Sequence, residues 1–177
     1  MQKISGNTVC WLLWILAFSS HAMAANKDES NVQNIYSKIL YFDSLDIKDS
    51  LSHYINLGYS ECNKYDINSI NSIDSREVEL NIAEIYYYYG GLNYVSNEVF
   101  ESINGYEKAA TYFKKYGIKT KYSDCIFNLA TNFSKVDQAP RSLELMHEAT
   151  SIFIDLKDNV NSKRTKQMLN GMSTNKS

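Results

Sequence analysis

The chain contains few of the residues that interrupt helices, with one proline and seven glycines among 177 residues. A meander of short strands and tight turns needs more of both, so this scarcity favours long helices. Basic residues form no cluster, and 18 lysines and arginines stand against 20 aspartates and glutamates. The composition therefore gives no indication of a surface for nucleic acid or for an anionic membrane.

Sequence patterns that carry catalytic or metal-binding chemistry are also absent. There is no G-x-S-x-G nucleophile turn, no H-E-x-x-H zinc pattern and no glycine-rich phosphate loop. Glu144 and His147 have the i, i+3 spacing of half a di-metal site, but such a site needs a second pair and further carboxylates. Ser52 and His53 are adjacent, yet no acidic residue is placed to orient the histidine. We therefore expect no enzyme activity, no metal site and no cofactor.

The longest apolar run lies near the N-terminus, over residues 9–18, and Lys3 is the only charged side chain before Lys27. A basic start, about ten apolar residues and the exit sequence Ala22-Met23-Ala24 are typical of a secretory signal peptide. The run is shorter than the ~20 apolar residues that a membrane-spanning helix needs. We expect a signal peptide over 1–24 and cleavage after Ala24, with Ala22 as second choice. The product would be periplasmic or extracellular and without a stable membrane span; an uncleaved anchor is the alternative.

Cys62 and Cys125 are the two cysteines of the expected exported chain. A pair of cysteines in an oxidising compartment favours a disulfide, and closing so long a loop would contribute about 3–5 kcal/mol by restricting the unfolded chain. Two buried thiols on separate helices are the alternative, because cysteine is often buried as a small apolar side chain. Spacing alone leaves both open, since it does not show whether the Cα atoms approach within bonding distance.

Apolar residues recur at helical spacing over nearly the whole exported chain. Polar or glycine-containing stretches separate these segments, which indicates a series of amphipathic helices. We expect one all-α domain over residues 25–170, followed by a disordered tail over 171–177. The predicted helices cover residues 32–40, 49–62, 74–90, 95–113, 122–133, 137–156 and 160–169.

Several of these boundaries rest on capping chemistry. Asp74 is followed by Glu77, which is the spacing of a capping box at a helix start. Gly90-Gly91 and Gly117 are predicted to end helices, because glycine accepts the left-handed conformation there. Pro140 is tolerated in the first turn of a helix and is predicted to lie near the start of one.

The segment 83–122 aligns position by position with the segment 123–162 that follows it, and many paired side chains have the same size class. We call the displacement that brings the first segment onto the second the repeat shift, and the number of residues in this displacement the repeat period. A period of this length predicts stacked helical hairpins, each packed against its neighbours. The small members would let neighbouring backbones approach closely. The matching pairs are Tyr86/Ile126, Tyr89/Leu129, Gly90/Ala130, Ser102/Ser142, Tyr106/Met146, Ala109/Ala149 and Phe113/Phe153.

These pairs resemble a tetratricopeptide repeat, in a long variant with a period of about 40 residues and in the C-terminal half only. The resemblance implies an all-α fold of antiparallel helical hairpins stacked as a short tetratricopeptide-like solenoid. The sequence departs from the family at Asn93, where a large apolar residue is expected, and the family's proline late in the second helix is missing. Tyr54, Leu57 and Gly58 resemble a first helix, but no second helix follows at the matching spacing. An unrelated antiparallel bundle is the alternative.

Members of this family usually bind peptides or protein surfaces in a groove formed by their first helices. By that resemblance, Tyr87, Tyr88, Asn128 and Asn132 are the binding candidates, being neighbours of the packed positions. Tyrosine combines a large contact area with a hydroxyl group, which suits recognition. Ordinary exposed polar residues are the alternative. Asn132 also begins a glycosylation sequon, but we expect it to lie in a helix whose Phe133 is buried.

The four consecutive tyrosines at positions 86–89 turn through most of the circumference of a helix, so at least one must be exposed or lie on a second packed surface. The expected function is that of an exported protein–protein interaction module, an adaptor or scaffold with a protein or peptide partner. Self-association would be one way to complete so short a stack. A secreted effector or inhibitor, a sensory input domain of an envelope receptor and, less favoured, a helical hydrolase are the alternatives.

Overall fold

The structure is a computed structural model that describes residues 30–64 and 76–174. Within these two ranges the chain forms helices joined by turns and contains no β-strand. The helices are α1 (30–44), α2 (Lys48–Cys62), α3 (Arg76–Val95), α4 (Val99–Lys115), α5 (Lys119–Lys135), α6 (Ala139–Asp155) and α7 (Asn159–Thr174).

Each helix packs mainly against the next helix along the chain, from α2 against α3 to α6 against α7. The helix over 30–44 joins the series by stacking Phe42 on Tyr54 of α2, with ring centroids 5.3 Å apart. Short turns join α1 to α2 and each helix from α3 to α7 to the next, and packed neighbours joined in this way are antiparallel. The predicted fold class, an all-α stack of antiparallel helical hairpins, is confirmed.

One kind of turn recurs between the helices. Each has three residues, and the middle residue has a positive φ angle. The residue after it donates its backbone N–H to a carbonyl five positions earlier, as Glu98 does to Asn93 at 2.9 Å. This is the Schellman arrangement that satisfies carbonyls at a helix end. The middle residues are Asp46, Asn97, Gly117, Asp137 and Lys157.

The last four of these turns are equally spaced along the chain, at positions 97, 117, 137 and 157. One helix with its turn is therefore a unit of half the repeat period, and two units make one hairpin of the repeat. The interval from position 46 to position 97 is longer than one repeat period. The additional residues lie between α2 and α3, and they displace the first hairpin from the repeat.

Small residues are buried where the helices approach closely. Ala109 and Ala149, which match under the repeat shift, are both fully buried. A Cβ atom on Gly105 would lie 2.7 Å from the backbone nitrogen of Gly90, so the backbones of α3 and α4 are in contact there. Close packing of the repeated small positions is thus a property of the folded chain.

A buried serine also links the two helices of each later hairpin. Ser102 Oγ in α4 donates a hydrogen bond to the Gly90 carbonyl of α3 at 2.8 Å. Its equivalent Ser142 in α6 donates to the Ala130 carbonyl of α5 at 2.6 Å. The same polar contact therefore fixes the crossing in both hairpins.

Gly58 belongs to a second helix, which corrects the expectation that it lies on a first helix. It is part of α2, the second helix of the hairpin that begins with α1. A Cβ atom there would lie 2.9 Å from Ile85 Cγ2 and 3.1 Å from Ile35 Cγ2. Gly58 therefore resembles Ala109: the helices on both sides of α2 leave no space for a larger side chain at this position.

The structure also corrects other predicted boundaries, among them the start of the helix predicted over 95–113, which begins at Val99 as α4. The helix α3 continues through Gly90-Gly91 to Val95, because Gly90 serves the contact with α4 instead of a turn. The helix α7 extends to Thr174, so most of the predicted disordered tail is helical. By contrast, α6 begins at Ala139 with Pro140 in its first turn, as predicted. The signal peptide over 1–24, Asp74 of the capping box and residues 175–177 lie outside the described residues.

Candidate functional site

Partly exposed side chains of the odd-numbered helices form one continuous set, which we call the odd-helix face. They come from α3 and α5 and are bridged to α1 and α7. The face is defined by Glu84, Tyr87, Tyr88, Lys121, Asp124, Phe127 and Asn128.

The four consecutive tyrosines divide between the core and this face. Tyr86 and Tyr89 are buried, with 1 % and 9 % of their surface exposed, whereas Tyr87 and Tyr88 are half-buried on the odd-helix face. The prediction that they could not all share one buried side is confirmed. Two of the four binding candidates are thereby adjacent on a surface that also carries charge.

Aromatic side chains and one cation contact the ring of Tyr87. Its ring meets those of Tyr106 and Phe113 edge-on, at centroid distances of 5.6 and 6.5 Å. Lys121 Nζ lies 4.7 Å from the Tyr87 centroid, within reach of a cation–π interaction. Burial, helped by the nearby Asp124 carboxylate, raises the pKa of Tyr87 to about 12. The hydroxyl therefore stays protonated at neutral pH and can donate a hydrogen bond.

Lys121 also joins α5 to α3 through charge. Its Nζ lies 2.8 Å from Glu84 Oε2, and the two side chains are 37 % and 18 % exposed. Burial raises the pKa of the neighbouring Asp124, an effect that the Lys121 cation opposes and Asp158 adds to. One cation thus serves an aromatic ring and two carboxylates on the odd-helix face.

Tyr88 and Asn128 are tied down by hydrogen bonds. Tyr88 Oη donates to Asp43 Oδ2 of α1 at 2.9 Å. Burial, together with this bond to a carboxylate, raises the pKa of Tyr88. Asn128 Nδ2 donates to the Asp124 carbonyl of its own helix at 2.9 Å. Both side chains are half-buried, and each is held by a hydrogen bond within the chain.

The cation over an aromatic ring recurs in the next hairpin. Arg164 of α7 lies 4.6 Å from the ring centroid of Phe127 in α5. Phe127 is the position that the repeat shift pairs with Tyr87. Each of these two odd helices therefore presents an aromatic ring that a basic residue of the following odd helix covers.

Asn132 does not belong to the odd-helix face, which corrects its place among the binding candidates. It is fully buried, and its Nδ2 donates to Ser102 Oγ at 2.8 Å. That serine in turn bonds the Gly90 carbonyl, so Asn132 links the α5 hairpin to the preceding one. A partner cannot reach it in this structure. Phe133 is buried as expected, and the sequon that Asn132 begins is inaccessible in the folded chain.

The two cysteines are free thiols in the structure, so the disulfide alternative is not realised there. Both are buried, Cys62 in α2 and Cys125 in α5. Their helices belong to different hairpins, and α3 and α4 come between them in the order of packing. Burial raises the pKa of both thiols.

Glu84, Lys121 and Asp124 are the residues that sequence reasoning missed, since the apolar pattern of α3 alone puts Glu84 at a solvent-side position. A signal for them existed in the repeat. The repeat shift maps Glu84 onto Asp124, and Lys121 precedes Asp124 by one helical turn. Glu84 of α3 could therefore have been paired with the base that lies one turn before the corresponding acid of α5.

Comparison with known proteins returns no match, either among protein-family models or among curated proteins. None of the described helices combines the length and the apolar character needed to cross a membrane. The same residues contain no group of three histidine, cysteine, aspartate or glutamate side chains placed to hold a metal ion. The odd-helix face itself offers aromatic rings, hydrogen-bond donors and paired charges, a chemistry that suits recognition.

Proposed function

We propose that this protein is an exported protein–protein interaction module, an adaptor or scaffold that binds a peptide or protein surface through its odd-helix face. The observation that carries the proposal is the pair Tyr87 and Tyr88, which lie half-exposed beside the ion pair of Lys121 with Glu84. Tyrosines beside charged groups provide contact area, hydrogen bonds and charge selectivity together. Because intramolecular bonds already hold these side chains, little conformational entropy is lost on binding.

We further propose a kinship with long tetratricopeptide-like repeats. In support, the small positions that define the resemblance, Gly90, Ala109, Ala130 and Ala149, are all buried at helix contacts. The first helices of such hairpins are α3 and α5, which carry the odd-helix face. Export is supported by the charge and apolar pattern of residues 1–24.

Affinity capture from an envelope extract tests the proposal, with the chain from Ala25 as bait. We expect the double variant Tyr87→Ala/Tyr88→Ala to lose a partner that the wild type retains. Tyr87 also contacts buried rings, so this change costs about 2–4 kcal/mol of folding free energy as well. The single variant Tyr88→Ala loses only a half-buried ring and one hydrogen bond to an exposed aspartate, and it should keep the fold while reducing recovery about tenfold.

Phe100→Ala is the matched control, because Phe100 is an aromatic residue on α4 with 71 % of its surface exposed. Thermal melts followed by circular dichroism verify that each bait is folded. A partner recovered equally by wild type, Phe100→Ala and a folded Tyr88→Ala would refute binding through the odd-helix face. A partner lost with Phe100→Ala alone would move the site to α4.

A further inference from the structure

A pocket of about 240 Å³ lies where α4 turns into α5, against the end of α6. It is separate from the odd-helix face. Its walls include Phe113 of α4, Tyr122 of α5 and Ile152 of α6, and its mouth includes Lys114, Lys119 and Asp155. Apolar walls below a charged rim are the usual composition of a binding pocket.

The aromatic wall of this pocket is fixed in position. Phe113 is buried in the core, with 1 % of its surface exposed. Tyr122 Oη donates a hydrogen bond to Glu148 Oε1 of α6 at 2.7 Å, which ties the ring across the hairpin. The pocket is therefore preformed, and filling it requires no rearrangement of these rings.

The charge at the mouth is not neutralised internally. Lys114, Lys119 and Asp155 are exposed, and within the described ranges none of them has an oppositely charged partner at ion-pair distance. Lys114 Nζ instead lies 5.4 Å from the centroid of the Tyr122 ring. Among the side chains that line the pocket, two ammonium groups against one carboxylate leave a net positive charge, and the Glu148 carboxylate, which is not part of the lining, accepts the Tyr122 hydrogen bond.

The turn at Gly117 borders this pocket without contributing a side chain to it. Gly117 occupies the left-handed position, with φ of 68°, and a Cβ atom on it would meet no atom within 4 Å. The corresponding turns at positions 46, 97, 137 and 157 carry Asp, Asn, Asp and Lys. The turn beside the pocket thus has no side chain at the position where these other four turns have one.

We propose that the pocket anchors one aromatic or leucine side chain of a partner peptide whose neighbouring residues are acidic. Its volume falls below the roughly 300–1,000 Å³ of sites that enclose a whole small molecule. It suits one large side chain, the usual anchor of a peptide interface. The lysines at the mouth select acidic neighbours by charge. This site adds to the proposed function and does not depend on the odd-helix face.

Titration of the ¹⁵N-labelled chain from Ala25 with short peptides tests the proposal by NMR. The probe is the capped peptide D-E-F-D-E, and the comparison peptides are D-E-A-D-E and K-K-F-K-K. We expect saturable shifts of the Gly117, Lys119 and Ile152 amide signals with the first peptide, and at least tenfold weaker responses with the other two. Equal binding of all three, or no saturable shift at these amides, would overturn the proposal.

Substitutions at the mouth separate charge from shape. Gly117→Asp and Gly117→Asn have the same size, and the turns at 46, 137 and 97 carry these two residues in the same conformation. We expect Gly117→Asp to bind the probe about threefold more weakly than Gly117→Asn, because only the aspartate repels an acidic peptide. Lys114→Gln/Lys119→Gln should weaken binding about five- to tenfold.

The control is Lys38→Gln/Lys48→Gln, which makes the same change of net charge on exposed residues of the first hairpin. It should bind the probe as the wild type does. If this control weakens binding as much as the pocket variants, the charge effect is not local and the pocket assignment is wrong. Shifts confined to the Tyr87 and Tyr88 amides would also overturn it, while leaving the odd-helix face as a peptide site.

Discussion

At the scale of single residues, the odd-helix face places an acid where folding disfavours it. Asp124 is half-buried, and burial raises its pKa in the folded chain. Lys121 offsets part of this effect but is itself shared with Glu84 and the Tyr87 ring. A carboxylate that costs folding free energy is more readily explained by a role in binding than by a role in stability.

Asp124→Asn should stabilise the protein at neutral pH. The folded pKa lies above the usual 3.8, so the stability of the wild type falls as pH rises from the unfolded pKa through the folded one. The variant has no ionisable group at position 124, so it does not lose stability in this way. Because half-exposure screens the effect, we expect its melting temperature to be about 1–3 °C higher at pH 7 and equal to that of the wild type near pH 3.

Calorimetry of both chains across this pH range measures the difference. Glu144→Gln, which removes one negative charge from an exposed position on α6, is the control and should leave the melting temperature unchanged. A lower melting temperature for Asp124→Asn at pH 7 would mean that attraction to Lys121 outweighs the cost of burial.

The environment of a side chain could be predicted from the sequence where one helix determines it. It could not be predicted where a second helix contributes. The division of the four tyrosines follows from helical geometry alone, and it was predicted. The position of Asn132 was not. Asn132 follows Asn128 by one turn and so shares its side of α5, but Ser102 of the preceding hairpin packs against that end of the side. A contact made between hairpins leaves no trace in the periodicity of one helix.

At the scale of helices, glycine has two different uses that look alike in the sequence. Gly117 ends a helix with a positive φ angle, as predicted. Gly90 instead lies within α3, against the Tyr106 ring and close to Gly105 of α4. Local sequence favours a stop at Gly90-Gly91. Only the crossing helix shows that the missing side chain makes room for a neighbour.

Gly105→Ala should be strongly destabilising. Its Cβ would lie 2.7 Å from the Gly90 nitrogen and 2.9 Å from the Tyr86 carbonyl oxygen, and backbone atoms yield only if the helices separate. We expect a loss of about 1–3 kcal/mol in the free energy of unfolding, after the helix-propensity gain of alanine. Urea denaturation followed by circular dichroism gives the value.

Gly91→Ala is the matched control in the same crossing region. The nearest atom to its Cβ would be Tyr106 Oη at 3.5 Å, an ordinary contact. This variant should be as stable as the wild type or more stable by up to about 1 kcal/mol. Equal stability of Gly105→Ala and Gly91→Ala would contradict backbone contact between α3 and α4.

At the scale of the whole molecule, the fold class followed from the scarcity of helix breakers and from the repeat period. The hairpin of α1 and α2 was not recognised in the sequence as a repeat unit, because its turn at Asp46 precedes the turn at Asn97 by more than one repeat period. The helix α7 was predicted to end early because its composition is polar. Packing against α6 supports it, with Ser162 and Thr165 buried. Stability supplied by a neighbouring helix cannot be read from the segment itself.

The two buried thiols provide a measure of how the stack opens. In the chain from Ala25, we expect alkylation in urea to modify two cysteines per molecule without prior reduction. Under native conditions modification should be slow, because the thiols are buried and burial raises their pKa. Cys62 lies in the first hairpin, and among the helices that the structure describes this hairpin is packed on one side only, by α3, so we expect Cys62 to react faster than Cys125.

Peptide mapping by mass spectrometry after timed alkylation separates the two sites. Identical rates for both cysteines would indicate that the stack opens as one cooperative unit. Failure to alkylate either cysteine in urea until a reductant is added would show that they are joined by a disulfide.

The identical turns have a consequence for how such a protein changes over evolution. Every junction from Asn97 onward ends one helix and begins the next in the same geometry, at a constant interval. An in-frame duplication or deletion of one hairpin would create no junction of a new kind. The size of the molecule, and with it the extent of any surface built along it, is therefore open to change by recombination without redesign of the parts.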